Sequence, residues 1–89
     1  MDTAEALALL NAVLASLEQE SYADLVRRVE SDPLLVTQRT GASGTEYQIE
    51  VSVLWDDVSR GPVRVMASID DGGWRAFAPL TRSFIKRPS

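Results

Sequence analysis

Tyr47-Gln48-Ile49-Glu50-Val51-Ser52-Val53-Leu54-Trp55 is the stretch whose reading decides the fold. Tyr47, Ile49, Val51, Val53 and Trp55 alternate with Gln48, Glu50 and Ser52, the period-2 pattern of a strand with one face buried and one in water. Downstream, residues 56–62 read as a loop, after which Val63, Val65, Ala67 and Ile69 alternate with Arg64, Met66 and Ser68 in a second such strand. Asp70-Asp71-Gly72-Gly73 then signals a hairpin, because Asp71-Gly72 suits the positive φ angles of a type I′ turn. Trp74 to Leu80 reads as the next strand, with Pro79 limiting its pairing and pointing to an edge. Upstream, Leu34 to Thr40 reads as the first strand, closed by the turn Gly41-Ala42-Ser43-Gly44.

Further toward the N-terminus the period changes from 2 to 3.6. Leu7, Leu10, Val13, Leu14 and Leu17 fall on one stripe of an amphipathic helix over residues 4–18, with Asp2 or Thr3 as its cap. Ser21 with Asp24 three residues later resembles a capping box. Tyr22, Leu25, Val26 and Val29 continue it as a helix of about ten residues, ended by Asp32-Pro33 because the residue before proline leaves the helical region. Residues 6–17 are apolar enough to resemble a signal-peptide core. Asp2 and Glu5 stand where basic residues belong, however, and the run is too short to span a bilayer.

The expected fold is α+β: two N-terminal helices packed on one face of a four-stranded antiparallel meander, order 1-2-3-4, in a single domain over residues 1–89. With Trp55 opposite Val63 and Thr40 opposite Thr45, the helix face holds Leu34, Val36, Tyr47, Ile49, Val51, Val53, Trp55, Val63, Val65, Ala67 and Ile69, followed by Trp74, Ala76 and Ala78. A bulge in the last turn would exchange the faces of Trp74 and Phe77. Phe84 and Ile85, in the tail from Thr81, are expected against the sheet edge.

Composition closes several routes to chemistry. The chain has no cysteine, which excludes disulfides and thiolate metal sites and fits a reducing, cytoplasmic compartment. It has no histidine, so the commonest general base at neutral pH and the commonest metal ligand are missing. Residues 1–32 carry seven acids and two bases, whereas residues 33–89 carry six acids and seven bases, so the helices hold the negative charge. The net charge of −4 opposes approach to nucleic acid or to an anionic membrane.

Ser68-Ile69-Asp70-Asp71-Gly72-Gly73-Trp74-Arg75-Ala76-Phe77, with Pro79-Leu80-Thr81 and Ser83-Phe84-Ile85, resembles a family of small bacterial proteins of unknown function. Ser21-Tyr22, Gly44-Thr45-Glu46-Tyr47-Gln48 and Trp55-Asp56-Asp57 are similar to it as well, so the resemblance covers roughly residues 21–85. It implies a bacterial source, relatives running somewhat beyond Ser89, and no established activity, so no catalytic residue, metal ligand or cofactor is carried over.

The residues themselves offer few reactive constellations. Asp56-Asp57 and Asp70-Asp71 stand at opposite ends of the third strand, more than about 20 Å apart, too far for paired acid–base work. Glu46 shares an end with Asp70 and Asp71, yet the spacing matches no calcium loop, and the aspartates read as turn formers. No serine sits in a Gly-x-Ser-x-Gly turn, and the Gly41–Gly44 loop lacks the lysine and the helix of a phosphate site. Arg75, Arg82, Lys86 and Arg87 lie near Trp74, Phe77 and Phe84, but the negative net charge and the expected burial of Trp74 and Phe84 disfavour base stacking.

What remains is surface. In the assumed register Met66 lies opposite Phe77 on the face away from the helices, with Leu54 and Leu35 nearby and Arg64 and Arg75 on the rim. An apolar patch with a mixed-charge rim is the composition of a protein interface. The leading expectation is therefore a non-enzymatic interaction module without a cofactor, acting through Leu35, Leu54, Met66, Phe77, Arg64 and Arg75 on a protein partner or on itself as a homodimer. The alternative is a small-ligand protein with a pocket between helices and sheet near Tyr22, Tyr47 and Trp55.

Overall fold

A computed structural model describes residues 2–72 and 80–88. Helix α1 (Thr3–Glu18) begins where the Asp2 side chain accepts the Glu5 N–H at 3.1 Å, one of the four amide groups a helix start leaves without an internal partner. Helix α2 (Tyr22–Ser31) begins where Ser21 Oγ accepts the Asp24 N–H, also at 3.1 Å, and stops at Asp32 as the sequence predicts. Four strands follow, β1 (Leu34–Thr40), β2 (Glu46–Trp55), β3 (Val63–Asp70) and β4 (Leu80–Lys86), forming an antiparallel sheet in the order β1-β2-β3-β4. No helix among the described residues is long and apolar enough to cross a membrane.

The core forms between one sheet face and the helices. Ala6, Leu10, Leu14 and Leu17 of α1 and Leu25 and Val26 of α2 pack on Tyr47, Ile49, Val51 and Val53 of β2 and on Val63, Val65, Ala67 and Ile69 of β3. Trp55 stands opposite Val63, so the central hairpin has the register its alternation predicts. α1 lies mainly over β3 and β4, and α2 over β2 and β3, which leaves β1 at the margin of the helical layer.

Two strands depart from expectation. In β1, Thr40 stands opposite Glu46 rather than Thr45, a slip of one residue that exchanges the faces of the strand. Leu35, opposite Val51, therefore faces the helices, whereas Leu34 and Val36, opposite Ser52 and Glu50, face away. The hairpin explains the slip: the Gly41 N–H donates to the Thr45 carbonyl at 2.8 Å, making those two residues the last pair of the ladder.

The strand paired with β3 is Leu80–Lys86 rather than Trp74–Leu80, so Met66 faces Ser83 and not Phe77. Gly72 has φ 79°, but Asp71 does not join it at positive φ, and the two-residue type I′ turn is not formed. The expected placements of Trp74, Arg75, Ala76, Phe77 and Ala78 lie outside the described residues.

Candidate functional site

Cα partners across an antiparallel ladder share a face, and the register therefore sorts the surface side chains. On the face away from the helices stand Leu34 and Val36 of β1, Leu54 of β2, Met66 of β3 and Ile85 of β4. All five are among the exposed large hydrophobics. Glu50, Ser52, Ser68 and Thr81 lie between them, and a depression of about 210 Å³ opens beside Met66 among these polar side chains. Arg64 is held at one end of the face by Asp56, whose Oδ1 accepts its Nε at 2.8 Å. Leu54, Met66 and Arg64 thus meet on this face as the sequence predicts. Leu35 does not, and Phe77 and Arg75 fall outside the described residues.

Leu35 instead helps to line a groove of about 340 Å³ between the helices and β1. Leu9, Val13 and Leu17 of α1 form its wall, Leu35 and Thr37 its floor, and Arg39 its far end. Leu9 and Val13 are a second stripe on α1, beside the one that fills the core, and nothing in the described chain fully covers it. At the other end Arg28 and Glu20 close the groove through two 2.8 Å contacts, Nε to Oε1 and Nη2 to Oε2. Arg39 has no acidic partner among the described residues; its guanidinium donates only to Thr37 Oγ1 and the Gln38 carbonyl.

The three aromatics of the alternative pocket do not converge. Tyr47 and Trp55 are at opposite ends of β2, separated by about 26 Å for eight residues of extended chain. Tyr22 stands with Trp55 at the β2–β3 end, where its hydroxyl lies 2.9 and 2.8 Å from the carbonyls of Arg60 and Gly61 and pins that loop to α2. Arg60 holds φ 72° there, a conformation unusual for a side chain with a Cβ.

Tyr47 does other work at the hairpin end. Its hydroxyl donates to Glu5 Oε2 at 3.3 Å, and the same carboxylate accepts the Ser43 N–H at 3.0 Å and the Ser43 hydroxyl at 2.7 Å. Those Ser43 bonds hold the Glu5 carboxyl below its ordinary range, while burial and the nearby carboxylate push the Tyr47 phenol up. This tether joins the first turn of α1 to the β1–β2 hairpin, and no periodicity in the sequence announced it.

Glu46, Asp70 and Asp71 do gather around a depression of about 200 Å³. Even so, no group of three acids placed to hold a metal ion occurs among the described residues. Of the basic C-terminal group, Lys86 donates to the Glu18 carbonyl at 3.1 Å, and beside it Phe84 packs against the core. Comparison with protein-family models, with curated proteins and with solved structures finds no match for this chain.

Proposed function

We propose that this protein is a non-enzymatic interaction module whose working surface is the open face of the sheet. The observation that carries the reading is the convergence of Leu34, Val36, Leu54, Met66 and Ile85 on the one sheet face without helices over it. Such a surface suits a protein partner offering apolar and polar groups in alternation, because burial of the five side chains supplies the driving force while Glu50 and Ser52 between them and Arg64 at one end discriminate. The absence of histidine and cysteine supports a binding rather than a catalytic role.

Met66→Glu tests the reading, since Met66 is central, exposed and outside the core. Tagged wild-type and mutant chains are incubated at physiological salt in lysate of the source cell. A protein captured by the wild type and lost from the folded mutant supports the open face as the working surface. Equal capture by both chains, or none by either, overturns it.

A further inference from the structure

The edge strand β1 is unsatisfied on three sides. Leu34, Leu35 and Val36 are 57 %, 37 % and 52 % exposed, and Leu35 and Val36 both border the helix-side groove. Its outer backbone carries no ladder bond among the described residues, and its Gln38 carbonyl, which accepts Arg39 at 3.3 Å, keeps a second lone pair for another donor. The Val53 N–H donates to the Pro33 carbonyl and the Gly41 N–H to the Thr45 carbonyl, which fixes the phase of the ladder. Hydrogen-bonded pairs recur at every second residue, so Leu35, Thr37 and Arg39 aim their backbone groups at β2. Leu34, Val36, Gln38 and Thr40 therefore aim theirs outward. An exposed edge of this kind is a template for another strand.

We infer that the occupant of this edge is a second copy of the same chain, joined antiparallel β1 to β1 about a twofold axis through Val36. The phase allows it, because the outward residues all have the same parity. Leu34 then pairs with Gln38 of the partner subunit, and Val36 with Val36 of the partner subunit.

Charge selects this register. It brings Arg39, which has no acidic partner among the described residues, beside Asp32 of the partner subunit and the carbonyl end of that subunit's α2, twice over by symmetry. It also sets Leu35 next to Thr37 of the partner subunit, so the two grooves merge and the Leu9–Val13 stripes gain apolar cover. A seven-residue edge is about 23 Å long, and the molecule is 19 Å across its thinnest dimension. The contact is thus at most roughly 450 Å² per copy and about 900 Å² in all, the class of weak, reversible interfaces. The dimer uses the edge and helix side of β1 and does not depend on the open-face reading.

Sedimentation equilibrium of the purified chain, followed from about 1 to 200 µM, tests the inference together with amide hydrogen exchange. The expected mass at the top of this range approaches twice 9.8 kDa, and exchange at Val36 and Gln38 slows at least about tenfold between dilute and concentrated samples. Gln38→Pro removes an outward donor and no bond to β2, so a folded monomer is expected, with dissociation at least about tenfold easier. Arg39→Asp weakens the dimer, and adding Asp32→Arg restores it. The two charge variants and the wild-type exchange decide the matter even if the proline variant fails to fold.

A monomer throughout, exchange at Val36 and Gln38 that ignores concentration, or polymers larger than a dimer would each overturn the inference. Dissociation by Met66→Glu with Gln38→Pro still dimeric would also do so, and would place self-association on the open face instead.

Discussion

The two edges of the sheet, β1 and β4, are finished in different ways. β4 lies under α1: Phe84 packs into the core beside Val65, Leu80 packs beside Ile69, and Lys86 reaches the Glu18 carbonyl at the end of the helix. Arg82, Lys86 and Arg87 put charge along this edge, and Pro88 follows the strand, devices that discourage another strand from adding. β1 has no such cover. Of its residues only Thr37 is even partly buried, its apolar run is exposed on both faces, and Arg39 is its one charge. The difference teaches that α1 completes one side of the sheet, while among the described residues the other side stays at the margin of the helical layer.

The comparison breaks first on packing. Phe84→Ala is expected to destabilise the fold by about 2–4 kcal/mol, because it deletes a ring packed on the core. Leu35→Ala in the dilute monomer should cost under about 1 kcal/mol, since the side chain is already partly in water. Equal costs in urea titrations would show that β1 is as well covered as β4.

A second test loosens only the β1 side. The Glu5 carboxyl titrates below its ordinary value in the folded chain, so its stabilising contribution is complete above the unfolded value of about pH 4.3 and is lost as pH falls through the lower folded value. Thermal unfolding should therefore show a loss of stability in this acid window that shrinks in Glu5→Gln. Gly41→Ala should mimic the loss at neutral pH, because a Cβ there meets the Glu5 carboxylate and displaces it from Ser43. A small fall in Tm, below about 4 °C, is expected for it, because the displaced carboxylate is the end of a flexible side chain. An acid loss that persists unchanged in Glu5→Gln would assign it to other groups.

The smallest effect sharpens the β4 side. Lys86→Met keeps the apolar stem and removes the exposed bond to Glu18, so stability should change by no more than about 0.5 kcal/mol. A larger loss would make the charge, rather than Phe84 and Leu80, the anchor of that edge.

How far the sequence could be read follows the clarity of its alternation. β2 and β3 carry a polar residue between nearly every pair of apolar ones, and both their faces and their register were legible. β1 offers three apolar residues in succession and then four polar ones, so nothing in the pattern distinguishes its faces, and a shift of one hairpin residue moved Leu35 to the groove. β4 was obscured differently. Its helix-side positions are Leu80, Arg82, Phe84 and Lys86, and long basic stems at the rim of α1 blur the apolar period. Of the candidate interface, Leu54, Met66 and Arg64 could be found because they lie on the two legible strands.

The amino-acid sequence by itself determined the two helices with the Ser21 cap of the second, the central hairpin, the order of the strands, and the lack of histidine and cysteine chemistry. These follow from local hydrogen bonding, from periodicity and from composition, which are properties of short segments. Only the tertiary structure decided which segment completes the sheet as β4, which face each β1 side chain takes, and that Glu5 fastens the first helix to a hairpin far along the chain. The second rests on the Gly41–Thr45 bond of the hairpin, the third on a contact between residues 38 positions apart, and the first on the packing of β4 under α1. A helix covers only about 10 Å of width, and among the described residues the two of them leave β1 at the margin of their layer.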